Sequence, residues 1–288
     1  VKAIDSVLSQ GFSDWELIVV DDASTDDTIE FINKYTDPRI QVIKNSSNLE
    51  RSISRNKGID AAKGEFICFL DSDDYYLPNH LETLHREVMI RHHPVALIHT
   101  NVSVRNTEGL EIRQVQYAYD PIRNITESVL SNHIQTNTVC IHRTVFTLFK
   151  FDPALSVNED VYLFAQIAGR FPVVHIAETT VVSVMHENNT IHLIKDHLTP
   201  QLRATRKIFA DPGIVVSDIF KKNKYFELYS QLVYFHASNK KTILSIAYFL
   251  KGLGIAPLHK NNRTNLLNVI YHLPGGKWLK RTMKLFNN

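Results

Sequence analysis

The apolar run Phe66-Ile67-Cys68-Phe69-Leu70 ends abruptly in Asp71-Ser72-Asp73-Asp74. Its shortness, its bulky residues and the Lys63-Gly64 break before it predict a strand buried on both faces. In open α/β sheets, ligands gather at the carboxyl ends of strands. On extended chain, Asp71 and Asp73 would aim their oxygens the same way. Two hard oxygen donors in that place suit Mg²⁺ or Mn²⁺ held against a phosphate. A solvated turn or a helix cap is the structural alternative, since Asp and Ser are common turn residues.

An earlier stretch repeats the pattern. Trp15-Glu16-Leu17-Ile18-Val19-Val20 reads as another buried strand, and Asp21-Asp22-Ala23-Ser24-Thr25-Asp26-Asp27 follows it. Ser24 and Asp27 have the spacing of a capping box for a helix carrying Ile29, Phe31, Ile32 and Tyr35. Asp21 and Asp22 precede that cap, placed to accept hydrogen bonds from a ribose or a base edge. Arg39–Ile43 forms a third short strand, and a helix opens near Asn48 and runs to about Ala62. On it, Arg55 could reach a pyrophosphate with a planar, permanently charged fork, or serve only as a surface arginine.

Taken in order, strand–Asp-Asp-x-Ser-Thr-Asp, then Asn-x-x-x-Ser-x-x-Arg-Asn-x-Gly, then Phe-Leu-Asp-Ser-Asp-Asp resembles the family 2 glycosyltransferases of the GT-A fold. The lead helix Ala3–Gln10 is similar to the segment that precedes the first of these motifs. The resemblance covers about residues 1–190. It implies an α/β fold, a Rossmann-like nucleotide-diphospho-sugar sheet flanked by helices, here with a helical C-terminal extension. It also implies contact of Asp22, and secondarily Asp21, with the uracil and ribose of a nucleotide-sugar. Asp71 and Asp73 would hold the cation on the diphosphate, with Ser72 and Arg55 also at the donor.

Two later segments gain meaning from the same resemblance. Phe151-Asp152-Pro153-Ala154-Leu155 leads into Asn158-Glu159-Asp160 and an apolar helix. Asn158 can cap that helix, and first-turn acids favour its macrodipole. The family has a Glu-Asp pair here that supplies a general base, which implies Asp160 in that role with Glu159 in support. The strand Val181–Met185 runs into His186, which the resemblance makes a metal ligand or phosphate donor. His192 and His197 have no such support.

Three departures from the family pattern stand out. Glu50 occupies a place where the family commonly has Gly. Val184 and Met185 fill the neighbourhood where an Arg often precedes the His. The chain also starts inside the lead helix without an initiator Met, so the expectation is a truncated sequence lacking the first strand of the sheet.

The 288 residues divide into an expected catalytic domain over 1–192 and a helical region over 193–288. The first splits into a nucleotide-sugar half (1–100) and an acceptor half (101–192). Pro78–Arg91 reads as a helix, Val95–Val102 as a strand and Arg105–Tyr119 as a polar hairpin or excursion. Ile134–Arg143 reads as a strand whose Thr136 and Asn137 either face an acceptor or mark a polar edge. Further helices are expected over Leu202–Phe209, Asp218–His236 and Thr242–Leu253. Composition is ordinary for a globular chain, 44% hydrophobic and 22% charged. A net charge of +2 offers no basic stripe for nucleic acid. Cys68 and Cys140 match no metal or redox spacing and read as core thiols of a reducing compartment.

The expected function is inverting transfer of a sugar from a nucleotide-sugar, with a uridine nucleotide favoured, to a hydroxyl of a glycan or glycolipid acceptor of the cell surface. The alternatives are a metal-dependent nucleotidyltransferase and an inactive nucleotide-sugar-binding remnant. No secretory signal is visible, and a cytoplasmic location is expected. Ile243–Ala256 is apolar but shorter than the roughly 20 residues of a membrane span. The basic, bulky segment Lys277–Phe286 could lie on the inner face of the cell membrane or pack on the protein.

Overall fold

The computed structural model describes residues 2–119, 124–186, 196–257, 259 and 261–271. They group into two compact units. Val1–Lys195 with Pro212–Val215 forms the first, and Asp196–Asp211 with Val216–Asn288 the second. The expected boundary at 192/193 falls among residues outside the description, as does the Lys277–Phe286 segment.

The first unit is α/β. After helix α1 (Lys2–Leu8), strand β1 (Leu17–Asp21) and strand β2 (Ile40–Lys44) pair in parallel around helix α2 (Thr28–Ile32). Helix α3 (Glu50–Ala61) packs on β1, where a Cβ on Gly58 would meet Val20 at 3.6 Å. A second sheet holds β3 (Phe66–Cys68), β4 (Tyr75–Tyr76), β5 (Leu97–Asn106), β6 (Glu111–Val115), β7 (Val139–His142) and β8 (Val173–Met185). Its order is β3-β7-β5-β8-β4, with β6 joined to β5 as a hairpin, one of the two forms expected there. β5 and β8 run parallel from Leu97↔Val173 to Asn106↔Met185, with a shift of register after Thr100.

Helices cover both faces. Helix α4 (His80–Ile90) sets Leu84 and Val88 against Ile98, Cys140 and Ile176. On the opposite face, Ile67, Phe69, Leu97, Val139 and Ile141 meet residues of helix α5 (Ile125–Asn132) and helix α6 (Glu159–Ala168), including Val129, Leu163 and Ile167. The second unit is helical: α7 (Leu198–Ala210), α8 (Asp218–Ser238), α9 (Thr242–Ile255) and α10 (Asn261–Tyr271). The last of these was not foreseen from the sequence.

Several local expectations are corrected. β1 is half-buried rather than buried; among the described residues it pairs along one edge only. β3 is an edge strand of three residues, so Ile67 is buried while Phe66 and Cys68 stay half-buried. β7 is interior, not a polar edge, and Thr136 and Asn137 lie buried in the 3₁₀ turn ahead of it. The Ser24–Asp27 capping box does not form: Ser24 N–H donates to Asp21, and the helix begins only at Thr28. Cys68 and Cys140 face each other across β3 and β7 as free thiols.

Two histidines in the sheet layers carry an acid-stability signature. His80 is buried, with Nδ1 2.7 Å from the Thr180 hydroxyl and the ring stacked on Tyr76. His99 is buried between Tyr117, Tyr119 and His175. Burial pulls the His80 imidazole down to about 3, and burial with the neighbouring His175 does the same to His99. The folded protein therefore holds fewer protons than the unfolded chain between the ordinary value of 6.5 and about 3. Stability should be full above that window and fall as pH drops through it. Urea denaturation across the window should show His80→Gln flattening the slope by up to about 1.4 kcal/mol per pH unit; an unchanged slope would refute the assignment.

Candidate active site

The loss of strand geometry after Cys68 sets the shape of the acidic segment. Instead of extended chain, residues 71–74 form a turn closed by the Asp74 N–H on the Asp71 carbonyl at 3.1 Å. Within that turn Asp71 and Asp73 take different partners. Asp71 Oδ1 accepts from Arg55 Nη2 at 2.8 Å, and Asp73 Oδ2 lies 3.0 Å from His186 Nε2. Ser72 is exposed at the tip.

Asp74, passed over in the sequence, organises this turn. It is buried, accepts from the Val184 N–H at 2.8 Å, and is hydrogen-bonded by the Asn137 amide. Burial, with Asp73 and Asp71 adding to it, pushes its carboxyl up to about 6 against those two hydrogen bonds. One residue before Asp74 is Asp73, and two residues after Val184 is His186. Asp74 thus brings the turn and the end of β8 together so that Asp73 and His186 meet.

These two suit a divalent cation in part. Cis ligands of an octahedral ion at about 2.1 Å stand about 3 Å apart, the separation seen between Asp73 and His186. Among the described residues, no group of three His, Cys, Asp or Glu side chains is close enough to hold a metal by itself. One carboxylate oxygen and one imidazole nitrogen suit an ion such as Mn²⁺ that keeps waters and takes other ligands from a phosphate. Asp71, the third expected ligand, is engaged by Arg55.

Arg55 is the hub of the site. Helix α3 carries Arg51 and Arg55 one turn apart, so both reach the same neighbour. Arg55 Nη1 donates to Glu159 Oε1 at 3.1 Å, and Arg51 Nε lies 3.4 Å from the same oxygen. Arg51 also donates to the Ser156 carbonyl, and Asn56 exchanges two hydrogen bonds with the Phe151 backbone. Burial would lower the Arg55 pKa, but the carboxylates of Asp71, Glu159 and Asp160 overcome this and raise it. Glu159 is itself buried; burial and Asp160 push its carboxyl up, with the two arginines opposing. Arg55, expected to reach a pyrophosphate, is here a guanidinium shared by two acids.

Asp160 sits half-buried in the first turn of α6. It accepts from the Val161 N–H at 2.7 Å and from the Thr136 hydroxyl at 3.2 Å. Asn158 enters this helix at φ 58° without a side-chain cap, correcting the capping expectation. Asn tolerates that left-handed conformation better than most residues.

At the other end, Asp22 Oδ1 accepts from Asn45 Nδ2 at 2.7 Å and from the Leu49 N–H at 2.8 Å. Burial opposes ionisation, yet the hydrogen bonds from Leu49, Asn45, Ser54 and Glu50 bring Asp22 below its ordinary value. Asn45 also contacts Ser54 and accepts from Lys57 Nζ at 2.6 Å. Asp21 is buried and its side chain supports the Ser24 turn. Asn45 and Lys57 escaped the sequence reading; the position of Asn45 just beyond β2 was the available signal. Glu50, by contrast, shows why Gly suits its position: its φ is 68°.

Three substitutions test this geometry. Glu50→Gly should raise stability by about 0.5–1 kcal/mol, the left-handed penalty less the entropy glycine adds to the unfolded chain; a lower melting temperature would contradict it. Arg55→Leu leaves the buried Glu159 with only the more exposed Arg51 and should cost about 3 kcal/mol in urea unfolding. Adding Glu159→Gln should recover part of that loss, whereas strictly additive losses would deny the pairing.

The Glycosyl transferase family 2 model matches residues 1–154. The chain is 32% identical over 166 residues to the UDP-Glc:alpha-D-GlcNAc-diphosphoundecaprenol beta-1,3-glucosyltransferase WfgD of Escherichia coli, covering 57% of this chain and 62% of WfgD. It is 30% identical over 179 residues to the succinoglycan biosynthesis protein ExoO of Rhizobium meliloti, covering 57% of this chain and 50% of ExoO. The chain thus spans less than two thirds of either relative. The crystal structure of S. aureus TarS 1-349 in complex with UDP-GlcNAc is similar in fold, with a TM-score of 0.60 at 18% identity, over 94% of this chain and 77% of the TarS chain. A nucleotide-type α/β sheet, an acid turn facing a histidine, and the matched family model agree: the chain belongs to glycosyl transferase family 2.

Proposed function

We propose that the protein transfers a sugar from a UDP-sugar to a hydroxyl of a lipid-linked glycan in the assembly of a cell-surface polysaccharide, with inversion at the anomeric carbon. The observation that carries the reading is the Arg55 bridge, which draws the acid turn at Asp71 toward the Glu159–Asp160 pair. The relatives support the substrate classes: WfgD is named for a UDP-glucose donor and a diphosphoundecaprenol acceptor, and TarS was solved with UDP-GlcNAc.

Asp22, fixed by Asn45 and the Leu49 N–H, and Asp21 beside it would orient the nucleoside. A divalent cation on Asp73 and His186, with Asp71 alongside, would supply charge against the departing diphosphate. Asp160 would take the acceptor proton as its oxygen attacks. Thr136 and the Val161 N–H hold the Asp160 carboxyl in one orientation, which limits the entropy lost on reaching a productive geometry. Glu159 would act through position: with Arg51 and Arg55 it anchors the helix start that carries Asp160. One displacement with one base inverts the carbon attacked.

Among the described residues no helix is long and apolar enough to cross a membrane. The reading places the protein on the cytoplasmic side, meeting its acceptor at the membrane surface, with Lys277–Phe286 as one candidate contact.

The decisive experiment measures transfer and UDP-sugar affinity separately. Asp160→Asn should cut turnover by about 10²–10⁴-fold and leave donor binding unchanged. Asp73→Ala should weaken donor binding in Mn²⁺ or Mg²⁺ and make it insensitive to chelator. Near-normal turnover in Asp160→Asn would put the base elsewhere. Release of pyrophosphate in place of UDP would replace sugar transfer by nucleotidyl transfer.

A further inference from the structure

Helix α9 of the second unit is built inside out for a helix in water. It packs on α8 through Ser245 and Gly252, with Tyr248 stacked on His236 and Ile255 against the apolar cluster there. The Ser245 hydroxyl donates to the Val233 carbonyl at 3.0 Å, and a Cβ on Gly252 would meet the Phe226 ring at 3.7 Å. Both positions are buried, the only two so placed among the described residues of this helix. Four bulky aliphatic side chains nevertheless turn the other way. Ile243 is 84% exposed, Leu250 59%, Leu244 44% and Ile246 37%.

At 100° per residue, Ile243, Ala247, Leu250 and Gly254 fall on one line, flanked by Ile246 and Leu244. Ala247 and Gly254 are exposed as well. This is a continuous apolar stripe, not a scatter of single surface leucines. Lys240 and Lys241 lead into it, and Lys251 stands at its edge, all three exposed.

Charge decides what covers the stripe. From residue 228 to residue 288 the sequence has no Asp or Glu, against nine Lys and Arg. A second copy seated face to face would bring like-charged lysines together with no carboxylate between them. Residues 272–288 contain Lys277, Lys280, Arg281 and Lys284 and would gain no charge pairing there either. An anionic bilayer satisfies both features: the apolar side chains enter the boundary between headgroups and acyl chains, and the lysines meet lipid phosphates. A helix of 14 residues is about 21 Å long, too short to span and suited to lie in the plane.

We infer that the Ile243–Leu250 face of α9, with Lys240, Lys241 and Lys251, docks the protein on an anionic lipid surface. It extends the proposed function by giving the second unit a means of holding the chain where a lipid-linked acceptor lies, but it stands on the helix alone.

The test uses the full chain and sedimentation with phosphatidylglycerol-containing or pure phosphatidylcholine vesicles. Wild type should bind the anionic vesicles and bind the neutral ones weakly. I243S with L250S should reduce partitioning at least about tenfold. K240Q with K241Q should reduce it by about fivefold or more on anionic vesicles alone. Because the first two side chains are exposed, the melting temperature of that variant in solution should match wild type. Unaltered vesicle binding by I243S with L250S overturns the inference. So does a wild-type dimer, by light scattering, that this variant converts to monomer, which would make a second copy the occupant. A large fall in melting temperature would assign the face to a segment of the chain itself and overturn it too. Sugar transfer to a soluble acceptor is read in parallel. Vesicle binding without transfer in wild type counts against the proposed function, and transfer that survives I243S with L250S alongside lost vesicle binding supports the docking role.

Discussion

A guanidinium held between two carboxylates of different elements is the interaction on which the first unit turns. Arg55 contacts Asp71, beyond the end of β3, and Glu159, at the start of α6. Those acids are 88 residues apart in the chain, and neither would be stable so near the other without the cation between them. Burial of such a group is expensive, and the cost is met only because three carboxylates lie within its reach. Arginine suits this position better than lysine, since its planar fork donates in two directions at once. The position of Asp160 follows from this clamp, because it is the next residue after Glu159 on a helix whose first turn the clamp fixes.

A second constraint works from the opposite side of the turn. Asp74 is buried and ties the acid turn both to Asn137, in the 3₁₀ turn before β7, and to the backbone of Val184 near the end of β8. Asp73 and His186 approach each other because Asp74 holds their two loops in register. The two devices divide the labour among adjacent acids: Asp71 goes to Arg55, Asp73 to His186 and Asp74 to the scaffold. An acidic turn of this kind would repel itself if each carboxylate were left in water beside the next; here each has its own partner.

The fold was legible where a local rule governs the outcome. Short apolar runs ending in acids predicted β1 and β3, and the ordered motifs pointed to the family that the matched model identifies. Helix periodicity located α3, α4, α6 and α8 to within a few residues. Glu50 is the clearest local case: a residue at odds with a family glycine proved to lie at φ 68°. Legibility stopped where long-range pairing decides. Whether β7 is an edge or an interior strand depends on β3 and β5 choosing it as neighbour, and its alternating polarity carries no record of that choice. The outward-facing apolar stripe of α9 was hidden for the same reason, because an apolar helix gives no sign of which face its small residues will spend on a neighbour.

By itself, the sequence determined the inventory: an α/β chain, acids at two strand ends, a Glu-Asp pair opening a helix, and a histidine after a strand. Those are properties of neighbouring residues, set by chain polarity and side-chain period. Only the tertiary structure decided how the acids are shared out. It gave Asp71 to Arg55 and Asp73 to His186, gave Asp74 a buried role, and enlisted Asn45 and Lys57 around Asp22. The reason is that a carboxylate's partner is chosen by which distant cation or N–H folding brings within about 3 Å, and that distance is a property of the packed sheet and helices, absent from any short stretch of chain.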